Sequence, residues 1–187
     1  MRRTFFALWP ELSWREQLLG AAQGLIAECG GRALASIDLH VTLCFLGAVD
    51  QSNLAGLCER AALLQAPEFE LAFEALEYWP RSRVLAATGS QVPEAATGLA
   101  NALRSSARSL GLHPDEQPLR PHVTLLRAAQ TPPRPLGSAL ALLPPLRLAA
   151  RRFYLAQSHE LEAATATTAQ TGRYARLASW PLRAVSR

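Results

Sequence analysis

A four-residue string, HVTL, occurs twice in this chain of 187 residues. The first copy begins at His40 and the second at His122, and a threonine follows each histidine two positions later, at Thr42 and Thr124. In a β-strand, side chains two positions apart project from the same face. Each copy therefore predicts a half-site in which an imidazole and a hydroxyl share one face, while valine and leucine fill the core on the other.

Two such half-sites fit acid/base chemistry at a phosphate group. A neutral imidazole can remove a proton from a nucleophile while a protonated one delivers a proton to the leaving oxygen, and histidine supplies both forms near neutrality. Threonine hydroxyls can donate to phosphate oxygens, and a guanidinium can offset the developing charge. Arg127, three residues beyond Thr124, is the candidate guanidinium, although a solvated arginine fits its position almost equally well.

No metal or cofactor is predicted. The two motifs carry no cluster of carboxylates, and two histidines alone make a poor site for a divalent ion. A single H-x-T strand is more often a partly buried histidine with a local hydrogen bond, so the hypothesis depends on the repetition. His113 and His159 lack the motif and are predicted to be surface residues.

Other side chains could line the same groove. By alternation Cys44 shares the face of His40 and Thr42, where we expect a groove-lining or packing thiol and no nucleophile. Four aromatic residues could stack a base, with core packing expected for the first: Phe6, Trp9, Tyr78 and Trp79.

Composition limits the class of protein. The net charge is +4 and all 19 basic residues are arginine, which suits a phosphate or nucleic-acid ligand and equally an ordinary basic surface. Cys29, Cys44 and Cys58 show no zinc-ligand spacing, so reduced thiols and a cytoplasmic location are expected. No apolar run reaches the roughly 18 to 20 residues of a membrane span. Pro10 and Glu11 interrupt a leader-like start, which we interpret as a first strand.

Hydrophobic periodicity and breakers predict the elements that position the motifs. Strands are predicted at Thr4–Leu8, Leu39–Leu46, Phe69–Leu76, Arg83–Thr88, the second HVTL copy, Arg147–Gln157 and Tyr174–Trp180. Helices are predicted from a Ser13/Glu16 capping box to Gly30, from Asp50 or Ser52 to Pro67, and from Pro93 to Leu110. Surface segments are predicted at Thr131–Pro145, as a connector, and at Glu160–Gly172, as a mobile loop.

This order mixes helices with mainly antiparallel strands, which predicts an α+β fold. Each histidine strand follows a long helix. The chain is therefore interpreted as two related halves, joined near residues 88–94.

The motifs and their surroundings resemble the 2H phosphoesterase superfamily, which is defined by two H-x-[ST]-x motifs. The resemblance is closer to the bacterial RNA 2′,3′-cyclic phosphodiesterases, long called 2′-5′ RNA ligases. It covers nearly the whole chain and is carried by these segments: RRTFFALWP, LHVTLCFLG, FELAFEALEYWP, RPHVTLLR and GRYARLASWPL.

The resemblance implies a single bilobal domain over residues 1–187, with two pseudo-symmetric lobes whose antiparallel sheets line a central groove and whose helices lie outside. It implies metal-independent opening of a 2′,3′-cyclic phosphate to a 2′-phosphate, with 2′-5′ joining of RNA ends in vitro. His40 would be the proton donor and His122 the proton acceptor, and Thr42, Thr124 and Arg127 would bind the phosphate.

The expected partner is RNA with 2′,3′-cyclic phosphate ends, such as tRNA fragments, bound by a monomer. Two alternatives stay open at this point. One is the same chemistry on a small cyclic nucleotide or an ADP-ribose cyclic phosphate, and the other is an RNA-end binding protein without turnover.

Overall fold

A computed structural model of the chain describes residues 2–133, 139–159 and 172–184. Within these residues there are three α-helices: α1 (Leu12–Cys29), α2 (Gln51–Ala62) and α3 (Glu94–Arg108). The same residues form nine strands: β1 (Thr4–Leu8), β2 (Arg32–Ala33), β3 (Val41–Gly47), β4 (Phe69–Trp79), β5 (Val84–Thr88), β6 (His122–Arg127), β7 (Leu140–Ala150), β8 (Arg152–Ser158) and β9 (Tyr174–Pro181). None of the described helices is long and apolar enough to cross a membrane.

The described strands form one sheet in the order β7-β4-β5-β6-β3-β1-β8-β9, with β2 beside β6. Every pair of neighbouring strands is antiparallel, so the predicted α+β fold is confirmed. In the centre, β3 and β6 pair at one position, Val41 opposite Val123. The two predicted antiparallel sheets are thus the two halves of a single sheet, and this pair, called the seam below, joins them.

The main hydrophobic core lies between the sheet and the helices. Both valines of the seam are fully buried in it, together with Phe6 of β1. The helices are exchanged across the seam, because α1 contacts β6 and β7 of one half while α3 contacts β3 of the other. This packing closes one face of the sheet and leaves the face of the histidines open.

The ends of the helices follow local chemistry in part. The Asp50 side chain accepts a 2.8 Å hydrogen bond from the Asn53 amide at the start of α2, as predicted. The predicted Ser13 capping box is wrong. The helix α1 already begins at Leu12, so Ser13 lies inside the first turn, and Glu11 precedes it without a side-chain cap. Gly30, with φ of 56°, ends α1 as expected.

The largest error concerns the predicted connector at Thr131–Pro145. From Leu140 onward this segment is part of β7, an edge strand on β4. The ladder pairs Ala141 with Ala75 and then Leu146 with Phe73, so Pro144 and Pro145 fall in a stretch that pairs with nothing on β4. Prolines are tolerated there because an edge irregularity needs no amide donor from them.

The predicted strand at Arg147–Gln157 is also wrong, because the chain breaks it at Arg151 and sends β7 and β8 to opposite halves of the sheet. The β4 strand is longer than predicted and reaches Trp79, which brings that ring to the groove. Residues 160–171 of the predicted mobile loop, and residues 134–138, lie outside the described residues.

Candidate active site

The seam determines how the two HVTL copies meet. Because Val41 lies opposite Val123 in an antiparallel pair, the adjoining positions place His40 towards Thr124 and Thr42 towards His122. The valines point into the core, so these four side chains share the open face of the sheet. The structure therefore brings the two predicted half-sites together, each histidine beside the threonine of the other half.

The two imidazoles are held in the same way. Nδ1 of His40 lies 2.6 Å from the carbonyl oxygen of Asp38, and Nδ1 of His122 lies 2.8 Å from that of Arg120. A carbonyl oxygen only accepts, so each Nδ1 carries a proton and donates it. Nε2 is therefore the nitrogen of each ring that is available for proton transfer.

Burial disfavours the protonated form of both imidazoles in the free protein. It lowers the pKa of His40 to about 4, against the opposing effect of the bond to Asp38, and the charges of His122 and Arg127 lower it further. Burial also lowers the pKa of His122, and the nearby guanidinium charges of Arg120 and Arg127 add to this. Both imidazoles are thus mainly neutral at pH 7 when the groove holds no anion.

Aromatic rings account for the low polarity around His40. Phe5 and Trp9 lie nearly parallel to its ring, each with centroids 4.9 Å away, and Tyr174 contacts it edge-on at 4.8 Å. His122 has one comparable contact, an edge-on approach of Trp79 at 5.1 Å. The histidines are therefore inequivalent, since His40 is enclosed on three sides.

The aromatic residues singled out from the sequence divide between the groove and the core. Trp9 and Trp79 contact the histidines, whereas Tyr78 packs against the main core and Phe6 is fully buried, as expected. Phe5 and Tyr174 were not predicted. Alternation does put Phe5 on the face of Trp9, but only the pairing of β1 with β3 and β8 shows that this face carries His40.

An extra residue in β6 places Arg127 at the site. Ala86 of β5 lies opposite Thr124, but the next residue, Leu85, lies opposite Leu126, so β6 carries one residue more at this point. Strict alternation would send Arg127 to the core face, and the extra residue returns it to the face of Thr124. Its charge reaches both histidines, as the lowered pKa values show.

An extra residue in β3 likewise moves Cys44 off the face of His40, so the placement predicted from alternation is wrong, while the packing role expected for its thiol is confirmed. Phe6 of β1 lies opposite Cys44 and Ala7 lies opposite Thr42, so β3 also carries one extra residue after its threonine. Cys44 therefore faces the core with Phe6, 2% exposed, and does not share the face of His40. Burial raises the pKa of its thiol to about 12, which suits packing and no nucleophilic role.

Phe45 takes the place on the groove face that alternation had assigned to Cys44. Its ring is 38% exposed, and Phe45 stands opposite Phe5 of β1. Phe45 follows His40 by the same number of residues as Arg127 follows His122. The two halves thus differ at this position by an apolar ring on one side and a guanidinium on the other.

A pocket of about 320 Å³ opens beside His122. Its wall includes an arginine whose charge is neutralised, since Arg120 forms a 2.5 Å ion pair with Glu77 and lies 5.1 Å above the ring of Trp79. A second arginine, Arg104, is buried and holds the loop below the pocket by donating to the carbonyl oxygens of residues 115 and 117.

The other candidates lie elsewhere. His113 and His159 are exposed, as predicted. In the parts of the chain that the structure describes, no group of three or more His, Cys, Asp and Glu side chains is arranged to hold a metal ion.

Residues 9–162 match the family model described as the 2′-5′ RNA ligase superfamily. The chain belongs to this superfamily. One relative, the RNA 2′,3′-cyclic phosphodiesterase of Escherichia coli (strain K12), is 36% identical over 128 residues, which are 68% of this chain and 73% of that protein.

Solved structures agree with this assignment over nearly the full length. A crystal structure of a phosphoesterase is 30% identical with a TM-score of 0.83, covering 97% of this chain and 98% of that one. The apo form of LigT from Escherichia coli is also 30% identical, with a TM-score of 0.81 and the same coverage. The superfamily fold therefore extends over both halves of the sheet.

Proposed function

We propose that this protein hydrolyses RNA 2′,3′-cyclic phosphate ends to 2′-phosphate ends, without a metal, by transfer of protons through His40 and His122. The observation that carries the proposal is the convergence at the seam of two identically held imidazoles, each beside a threonine of the opposite half. The name of the Escherichia coli relative supports RNA 2′,3′-cyclic phosphate as the substrate.

In this mechanism the cyclic phosphate lies between the two imidazoles. Thr42, Thr124 and Arg127 donate to its nonbridging oxygens and offset the charge that grows in the transition state. Nε2 of His122 removes a proton from water as the new bond from oxygen to phosphorus forms. Nε2 of His40 gives its proton to the 3′ oxygen as the bond from phosphorus to that oxygen breaks. The products are a 2′-phosphate and a free 3′-hydroxyl.

Because the pKa of His40 is low in the free protein, its proton has to be acquired with the substrate in place. An anionic phosphate beside the ring favours the imidazolium and so supplies the reason for protonation. In reverse, the same pair would join RNA ends through a 2′-5′ bond, as expected for this superfamily. A single domain, a monomeric state, a cytoplasmic location and tRNA fragments as the natural substrate stay predictions.

The test is incubation of the purified protein with a short RNA that ends in a 2′,3′-cyclic phosphate, with EDTA present. We expect a 2′-phosphate product, and a loss of about 10²- to 10⁴-fold in kcat for His40→Ala and for His122→Ala. Thr124→Val should lose activity and Thr124→Ser should retain it, because serine keeps the donor. His113→Ala is the matched control, an exposed histidine outside the two motifs.

Different outcomes separate the alternatives. Turnover of mononucleotide or ADP-ribose cyclic phosphates with none of RNA would reassign the substrate. Tight binding of the RNA end without product would favour a binding protein. Opening of the ring that survives both histidine substitutions, or that EDTA abolishes, would contradict the mechanism.

A further inference from the structure

The open face continues from His40 across β1, β8 and β9. Tyr154 of β8 lies opposite Ala7 of β1, and Ala156 lies between Phe5 of β1 and Arg176 of β9. All of these positions are on the groove face. Ala7 and Ala156 have short side chains, so the larger side chains around them project further from this face of the sheet.

Three of the larger side chains on this face form one cluster, called the Arg176 patch: Trp9, Tyr154 and Arg176. The guanidinium carbon of Arg176 lies 5.7 Å from the centroid of the Trp9 ring and 5.6 Å from that of Tyr154. The arginine itself is exposed. Two rings thus flank the guanidinium of a side chain that remains exposed to solvent.

Within residues 2–133, 139–159 and 172–184, no carboxylate forms an ion pair with Arg176, whereas Arg120 on the other side of the site is paired with Glu77. An arginine therefore stacks on a tryptophan beside each histidine, Arg176 on Trp9 and Arg120 on Trp79. Of these two arginines, Arg176 is the one without a carboxylate partner among the described residues.

We propose that Arg176 binds the internucleotide phosphate that precedes the terminal nucleotide, so that the RNA strand leaves the catalytic pair over β1, β8 and β9. This inference rests on the proposed function. A guanidinium that lies against two rings and has no carboxylate partner among the described residues matches a phosphodiester oxygen pair, and the neighbouring rings offer a surface on which a base can stack. On the opposite side, the carboxylate of Glu77 disfavours a phosphate.

A comparison of two substrates isolates this contact. A nucleoside 2′,3′-cyclic phosphate has no internucleotide phosphate, while a tetranucleotide with the same cyclic end has one next to the site. For Arg176→Gln we expect the ratio of kcat/KM, tetranucleotide over mononucleotide, to fall about 10-fold. The slope of log kcat/KM for the tetranucleotide against log salt should become shallower by about 0.7, the share of one phosphate on a single strand.

Matched variants test the role of the rings and the direction of the strand. Arg147→Gln removes an exposed strand arginine at the far edge, paired with Glu70, and should leave the ratio unchanged. Tyr154→Phe keeps the ring and should keep the ratio, whereas Tyr154→Leu should lower it. Thermal unfolding of every variant shows whether the fold is intact.

An unchanged ratio for Arg176→Gln would overturn the inference, and so would an equal loss on both substrates, which would place Arg176 at the cyclic phosphate. A fall of the ratio for Arg120→Gln in place of Arg176→Gln would also overturn it, since the strand would then run over Trp79. Fluorescence anisotropy with a labelled tetranucleotide 2′-phosphate measures the binding affinity without turnover, and we expect Arg176→Gln to weaken it. If the wild type opens neither substrate, the proposed function fails, while weaker binding by Arg176→Gln still supports the contact.

Discussion

Occupation of the groove by a phosphate should raise the pKa of His40 by several units. In the free protein burial lowers this pKa from 6.5 to about 4, so that about one ring in a thousand is protonated at pH 7. A phosphate anion about 4 Å from the ring stabilises the imidazolium by about 4 kcal/mol at an effective dielectric constant of 20. That energy corresponds to about three pKa units, which predicts a pKa of about 7 in the complex.

The assay is a titration of His40 by ¹⁵N NMR, with His40→Ala to assign its signals. The His122→Ala variant serves as host, because it can hold a nucleoside 2′,3′-cyclic phosphate without turnover, and this diester keeps one negative charge across the range. Since the ligand raises the pKa, binding takes up a proton between the two pKa values. The affinity should therefore fall about tenfold for each pH unit between about 4 and 7 and level off above.

Two results would refute the reasoning at different steps. Titration of His40 near its ordinary pKa in the free protein would show that Phe5, Trp9 and Tyr174 do not desolvate the ring. A pKa that stays low with the ligand bound would remove His40 as proton donor and favour the reverse assignment, with His122 as the acid. A bound pKa near 7 together with a pH-dependent affinity would support the assignment proposed above.

Two further predictions concern residues that support the site. Asp38 accepts a 2.7 Å hydrogen bond from the amide of Arg173, which connects the start of β9 to the loop before His40. Asp38→Ala should therefore lower kcat about tenfold. Asp38→Asn keeps an acceptor and should lower kcat less. Equal kcat values for both variants would show that this tie is unimportant. A Cβ on Gly89 would meet the carbonyl oxygen of Ala72 at 2.2 Å, so Gly89→Ala should lower the free energy of unfolding by about 2 kcal/mol or more. The control is Gly98→Ala on α3, where the added methyl group would lie in open space. This variant should raise the free energy of unfolding by up to about 1 kcal/mol. Denaturant unfolding measures both, and an undisturbed Gly89→Ala protein would contradict the contact.

The two histidines that meet at the seam could be found from the sequence because the signal is local. A histidine and a threonine two apart on an amphipathic strand need only the period of the strand to share a face. Cys44 shows where that reasoning ends. The extra residue after Thr42 is fixed by the pairing of β3 with β1, and nothing within LHVTLCFLG indicates it. The same kind of extra residue returns Arg127 to the site, where strict alternation would have excluded it.

The surroundings of His40 could not be predicted for a related reason. Trp9 directly follows the first strand, and Tyr174 and Arg176 belong to the last, so their meeting depends on the order β3-β1-β8-β9. That order is decided by tertiary pairing over most of the length of the chain. The prolines of β7 led to the wrong prediction of a surface connector. Proline usually indicates a loop, but an edge strand can contain it at positions that do not pair with a neighbour.

The ladders of β3 and β6 meet at one pair, Val41 and Val123, and α1 and α3 pack across the same line from the core side. His40 and His122 adjoin this pair, while β7 and β9 form the two edges of the sheet. The distance between the two imidazoles is therefore set by the backbone at one place. Substitutions on the outer strands can change the shape of the groove while that distance stays the same.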